Sequence, residues 1–241
     1  MREQTQDKLI AMKLNGMADA YQEQQRQVQS ADLSFDERFA MLVERQWVWK
    51  ENRALTTRMR FASFKLQASM EEVNYRHPRE LNRGVMDELA SNQWIRLGRA
   101  CLISGATGLG KTWLACALGH HACRDGYRVL YAYGPKLFRD LAQAQVDGSL
   151  TRYLKKLAGV DLLIVDDFGL EQGRPDQYRL FLEVLDDRKG ANLITSQYPV
   201  DTWHDLISDP TAADAILDRL VHDAYVVALK GESMRKGDQS A

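Results

Sequence analysis

Long apolar runs are missing from this chain. No stretch approaches the roughly 18 apolar residues of a membrane-spanning helix, and the opening residues are polar, without the apolar core of a secretion signal. A membrane protein is therefore excluded as an expectation, and a cytoplasmic one is expected. Cysteine is scarce: Cys101, Cys116 and Cys123 are the only three, and their spacing is not that of metal ligands. They read as small buried hydrophobes in a reducing compartment. Charge of one sign is also lacking, since 32 Lys/Arg meet 33 Asp/Glu for a net charge of −1, so global charge points to no partner. Internal repeats and low-complexity linkers are absent. What remains is 241 residues, 45% hydrophobic and 27% charged, enough for a sizeable core.

The chain changes texture near residue 95. Before it the pattern is helical. Ile10, Leu14, Met17 and Tyr21 share one face of an amphipathic helix. Ser34 and Glu37 have capping-box spacing and open a second helix running to about residue 62, with Phe35, Phe39, Leu42 and Trp49 on its inner side. The stretch from Leu66 to Leu97 is less regular, with turns at His77-Pro78 and Gly84 and a helix over residues 86–92. After residue 95, strands alternate with helices. Strands are expected at 100–104, 128–133, 162–165, 192–195 and 225–229, and helices from Trp113 and over 136–144, 176–187 and 211–221. Such alternation predicts a parallel sheet covered by helices on both faces. The expected domains are a small all-α unit at 1–95 and an α/β unit at 96–241.

Gly105-Ala106-Thr107-Gly108-Leu109-Gly110-Lys111-Thr112 fits the phosphate-binding pattern G-x-x-x-x-G-K-[ST]. An apolar strand precedes it and a helix beginning at Trp113 follows. In that setting backbone N–H groups and a helix N-terminus converge on phosphate oxygens. Residues 105–113 are thus the expected nucleotide-binding set, for ATP with Mg²⁺. Lys111 is to reach the β/γ-phosphates, and the Thr112 hydroxyl is to ligate the metal.

Leu162-Leu163-Ile164-Val165-Asp166-Asp167 ends a buried-strand pattern in two carboxylates, at the sheet end where α/β folds place ligands. Two aspartates can simply terminate a strand. Behind a phosphate loop, Asp166 suits the Mg²⁺ ligand and Asp167 the group that orients or deprotonates water. The strand at 128–133 lies in sequence between the two motif strands. An inserted strand there resembles the additional-strand branch of P-loop ATPases, which includes AAA+ and RecA-like proteins, more than small-molecule kinases. Thr195-Ser196-Gln197 ends the following strand, so Ser196 or Gln197 is a candidate sensor of the γ-phosphate or attacking water; a plain strand exit also favours these residues. Arg219 closes an apolar helix. It either favours the helix dipole and pairs with Asp218, or acts as an arginine finger toward a neighbouring subunit.

Together these segments resemble the IstB-type helper ATPases of bacterial insertion sequences, in the DnaC-like branch of AAA+ proteins. The resemblance rests on residues 102–112, 162–169, 194–203, 215–222 and Gly231-Glu232-Ser233-Met234-Arg235, and extends to 8–20 and 35–53. It implies an AAA+ ATPase core that hydrolyses ATP to ADP and phosphate. It also implies an ATP-dependent homo-oligomer on duplex DNA that hands a target site to a partner transposase, without cutting DNA itself. Lys111, Thr112, Asp166, Asp167, Ser196 or Gln197, and Arg219 take the roles given above. Two departures stand out: most AAA+ proteins carry Asp-Glu where this chain has Asp166-Asp167, and about ten residues follow Gly231, too few for the usual helical lid. Arg235 is a candidate second sensor, or equally a surface tail residue.

Arg45, Lys50, Arg53, Arg58, Arg60 and Lys65 form a basic stripe broken by one acidic residue, Glu51, and interleaved with Trp47, Trp49, Phe61 and Phe64. Such a stripe neutralises DNA phosphates without reading bases, or it is a solvated helix face over core aromatics. No base-reading motif such as a zinc finger is visible, so any DNA preference is expected to be loose. A replicative-helicase loader like DnaC shares the same core; the two readings part at the first 95 residues, which would bind either DNA or the helicase.

Overall fold

Parallel pairing throughout is what the continuous apolar strands require, because only a sheet covered on both faces buries every side chain. The computed structural model describes residues 2–27 and 32–234. Its sheet has five strands: β1 (Ala100–Gly105), β2 (Val129–Tyr133), β3 (Leu162–Phe168), β4 (Ala191–Ser196) and β5 (Tyr225–Leu229). Their order is β2-β3-β4-β1-β5, with every neighbouring pair parallel. The sheet therefore does separate the two motif strands. The strand that separates them in space is β4, however, while β2, which lies between them in sequence, sits at the sheet edge. Ser104 pairs with Ser196 and Tyr133 with Asp166, which brings the carboxyl ends of four strands to one line.

Eight helices of the α/β unit run in chain order: α4 (Arg83–Ala90), α5 (Gln93–Arg96), α6 (Lys111–Arg124), α7 (Gly134–Val146), α8 (Leu150–Ala158), α9 (Pro175–Asp187), α10 (Trp203–Leu206) and α11 (Pro210–Val221). α7 and α11 start one or two residues before the expected points, because Pro135 and Pro210 fit the first helical turn. Asp209 caps α11 by accepting from Ala212 N. α8, with Leu154 and Leu157 buried, had no counterpart in the sequence reading. Between the sheet and α7, α9 and α10 the core is aromatic. Phe138, Phe168, Phe181 and Trp203 are all buried, and Phe168 meets Trp203 at 5.1 Å between ring centroids. Among the described residues no helix is long and apolar enough to cross a membrane.

The helices that precede this unit are α1 (Arg2–Ala11), α2 (Asn15–Arg26) and α3 (Phe35–Ala62). The single helix expected through Ile10 and Tyr21 is two helices, broken where Lys13 takes a left-handed φ of 62°. Gly16, Ala18 and Ala20 are buried on α2, and Gln46 Oε1 of α3 accepts from Met17 N at 3.1 Å. Small residues let the two helices approach. The α3 capping box forms as expected, Ser34 N to Glu37 Oε2 and Glu37 N to Ser34 Oγ. Phe35 and Phe39 do not face inward: they are 70% and 50% exposed and stack on each other. α2 meets α3 at Arg38, whose carbonyl accepts from Gln24 Nε2 at 2.9 Å, as well as at Gln46.

The compact units are Met1–Thr57 and Arg58–Ala241, so the division falls inside α3 and not near residue 95. The physical reason is packing on α6. Arg58 Nε donates to Cys123 O, Phe64 meets His120 edge-on at 4.2 Å, and Met86, Leu89 and Trp94 are fully buried. Residues 58–95, assigned in sequence to the helical unit, fall in the same compact unit as the sheet.

Candidate nucleotide-binding site

The glycine loop leaves β1 with φ of +142° at Gly105, +89° at Gly108 and +84° at Gly110, conformations that L side chains avoid. Space compounds the requirement: a Cβ on Gly110 would lie 2.6 Å from Arg79 Nη1, and one on Gly108 would overlap Ser233. Lys111 is buried, and its Nζ donates to Gly105 O at 2.7 Å and Ala106 O at 3.0 Å. The loop, the start of α6 and the end of β3 surround a cavity of about 500 Å³. That size suits a nucleotide-scale ligand.

Asp166 is fully buried in a ring of hydroxyls. It accepts from Thr112 Oγ1 at 2.9 Å, Thr195 Oγ1 at 2.7 Å and Tyr131 OH at 2.6 Å, and Lys65 Nζ stands 3.8 Å away. Burial and the Asp166 hydrogen bond push the Tyr131 phenol far up, so it stays a donor. Asp166 and Asp167 together oppose the single residue Thr195, because the β3–β4 register shifts between Val165 and Phe168. This bulge puts Asp167 at φ 60° and turns its carboxyl into the cavity, while its N–H donates to Thr195 Oγ1 at 2.9 Å. Burial first, and the Asp166 charge second, raise the Asp167 pKa above its usual 3.8; Lys65 and Lys111 oppose the rise. A carboxyl so placed is a stronger base than an ordinary aspartate.

Among the expected site residues, Thr107, Gly108, Lys111, Thr112, Asp167 and Gln197 line this cavity, with Trp113. Ser196 does not. It is fully buried, donates its Oγ hydrogen to Phe168 O at 2.8 Å and accepts from Tyr198 N. Alternation along β4 turns neighbours to opposite faces, and Thr195, part of the expected polar strand end but not the expected sensor, is the residue that meets the acidic pair. Arg219 lies outside the cavity on α11. It pairs with Asp186 of α9 rather than with Asp218, and donates Nη1 to Ala215 O. Arg235 lies outside the described residues.

The residues of the basic stripe differ in their individual surroundings. Arg45, Lys50, Arg53 and Arg60 are exposed, Arg45 pairing with Glu23 and Arg53 lying 5.1 Å over Trp49. Arg58 is held by Cys123 O. Lys65 falls beyond the end of α3 and lines the nucleotide cavity instead. Residues missed in sequence come from the irregular stretch after α3. Arg79 is only 1% exposed, lines the cavity, and donates to Leu109 O at 2.7 Å and Asn74 O at 3.2 Å. The pair Pro78-Arg79 carried no motif; only its tertiary placement marks it. All three cysteines are buried thiols, with Cys101 pushed up to about 12 by burial, in keeping with a packing role.

A parallel sheet of this order, with a glycine loop after β1 and an acidic pair ending β3, defines a P-loop ATPase fold of the AAA+ class. The chain belongs to the IstB-like ATP binding protein family, whose profile matches residues 7–241. An insertion sequence ATP-binding protein of Sinorhizobium fredii (strain NBRC 101917 / NGR234) is 46% identical over 98% of this chain and 97% of its own length. In fold, the chain is similar to AMPPCP-bound DnaA from Aquifex aeolicus, with a TM-score of 0.59 at 19% identity. That likeness covers 72% of this chain and about half, 53%, of the DnaA chain. It is also similar to the DnaC helicase loader, with a TM-score of 0.52 at 19% identity over 68% of this chain and 97% of that one.

Proposed function

We propose that this chain is an ATP-dependent helper of DNA transposition. It binds ATP, assembles with further copies of itself on duplex DNA, hydrolyses ATP to ADP and phosphate, and recruits or stimulates a partner transposase in the bacterial cytoplasm. The observation that carries the reading is the convergence of Lys111, Thr112, Asp167 and Gln197 on one cavity, in a chain whose relatives are insertion sequence ATP-binding proteins.

Hydrolysis places water in line with the γ-phosphorus. As the new P–O bond forms, the bridging bond to the β-phosphate breaks and ADP leaves. Asp167 takes the water proton, Gln197 orients the water, and Lys111 with the loop N–H groups holds the phosphates. Thr112 and Asp166 offer the hard oxygen donors that suit Mg²⁺, which would neutralise charge on the β- and γ-phosphates. Arg219 acts as the finger toward a neighbouring subunit. The exposed Arg45, Lys50, Arg53 and Arg60 contact phosphates, so DNA binding is salt-sensitive and weakly selective.

The test is ATP turnover with and without duplex DNA across a salt series. Duplex DNA should raise turnover at low salt, and the gain should fade as salt rises. The double substitution Arg53→Ala, Arg60→Ala should reduce the salt slope of DNA binding by about two. Turnover indifferent to DNA at low salt would remove the helper reading. Stoichiometric retention of the chain by the host replicative helicase would favour a loader.

A further inference from the structure

Arg79 is a buried cation beside the glycine loop. It is 1% exposed, yet among the described residues no carboxylate pairs with it, and the titratable group acting on it is the neutral Tyr75 phenol. Its Nη atoms donate to two main-chain carbonyls, Leu109 O and Asn74 O, and to Met234 Sδ at 3.3 Å, while its buried Nε has no partner. Burial draws its pKa down, but a guanidinium remains charged at neutral pH. A desolvated charge is costly unless an opposite charge meets it. The protein also holds it firmly: Lys230 N donates to Arg79 O at 3.2 Å, and Met234 N donates to Gly108 O at 3.0 Å. Arg79 is thus fixed against the glycine loop at Leu109 and lines the same cavity as Lys111 and Thr112.

We propose that Arg79 is a nucleotide-binding residue, and that its counter-ion is a phosphate of the bound nucleoside di- or triphosphate. This rests on the nucleotide reading of the cavity and adds to it a second cation, from outside the phosphate-loop motif. Since Arg79 stands at Leu109 and Gly110 of the loop, ADP and ATP are both expected to depend on it. The alternative is a structural clip, in which only the bonds to Leu109 O and Asn74 O matter.

Two substitutions rank the alternatives in opposite order. Arg79→Gln removes the charge and keeps N–H donors for the carbonyls; Arg79→Lys keeps the charge and loses the fork. ADP is titrated into each full-length protein, with melting temperature recorded alongside. A phosphate contact predicts affinity falling from wild type to Lys to Gln, with Gln weaker by about tenfold or more. A clip predicts Gln close to wild type and Lys as the weaker, and that order overturns the proposal. If the Gln variant is too unstable to titrate, the Lys variant decides: affinity within about threefold of wild type supports the contact, and a tenfold loss overturns it. ADP binding absent in the wild type would instead overturn the nucleotide reading and this proposal with it.

Discussion

Adjacent residues at the end of β4 have different surroundings. Ser196 bonds only main-chain partners in the core, while Gln197 opens onto the cavity. Ser196→Ala removes the donor that satisfies the buried Phe168 carbonyl, which costs about 1–3 kcal/mol. It should lower the melting temperature and leave turnover per folded molecule near that of wild type. Gln197→Ala should do the reverse, lowering kcat by about tenfold or more with little change in stability. A Ser196→Ala enzyme that melts normally but turns over slowly would reverse the assignment. The acidic pair was legible in sequence because Asp166-Asp167 ends a buried-strand pattern that follows a phosphate loop. Its bulge was not legible, since the φ of Asp167 depends on Thr195 across the sheet. Lys65 and Arg79 were not legible as site residues either. Both lie where the backbone path is set by contact with α6 and the glycine loop rather than by local pattern.

At the scale of elements, legibility followed periodicity. β5 has the residues expected for it, and α3 ends at the expected Ala62, because apolar runs and a long uninterrupted helix declare themselves. The segment between α3 and α4 declares nothing, yet it forms one wall of the cavity and is pinned to α6 through His120. That imidazole is 3% exposed, with Nδ1 at 2.8 Å from Ala68 O, Phe64 against its edge and Nε2 without a partner. Burial lowers its pKa from 6.5, and Arg124 adds to the fall, although the Ala68 carbonyl opposes it. Folding therefore favours neutral His120. The stability so gained is fully present above the unfolded value of 6.5 and is lost as pH falls through the lower folded value. Melting temperature should decline with acid over that window. His120→Gln should flatten the decline while costing about 1 kcal/mol at pH 8 through the lost edge contact with Phe64. An unchanged slope in the variant would show that other groups drive the acid sensitivity.

For the whole molecule, the cavity brings Lys111, Thr112 and Asp167 together, but Arg219 lies outside it, on α11. Its partner there is Asp186, with the two side chains 38% and 45% exposed. A pair this open to solvent contributes about 0–1 kcal/mol, so releasing the guanidinium to a neighbouring subunit is cheap. An arginine supplied in trans makes turnover a property of the assembly rather than of the monomer, and each site then needs two different chains. Arg219→Ala should bind ATP normally and hydrolyse it slowly, whereas Lys111→Ala should fail to bind. Mixed in equal amounts, the two inactive proteins should recover activity, because an Arg219→Ala chain with intact Lys111 meets a neighbour with intact Arg219. Random mixing makes such interfaces about one in four, so recovery should approach a quarter of wild-type turnover. No recovery, in a mixture shown to co-assemble, would return Arg219 to a surface pair with Asp186.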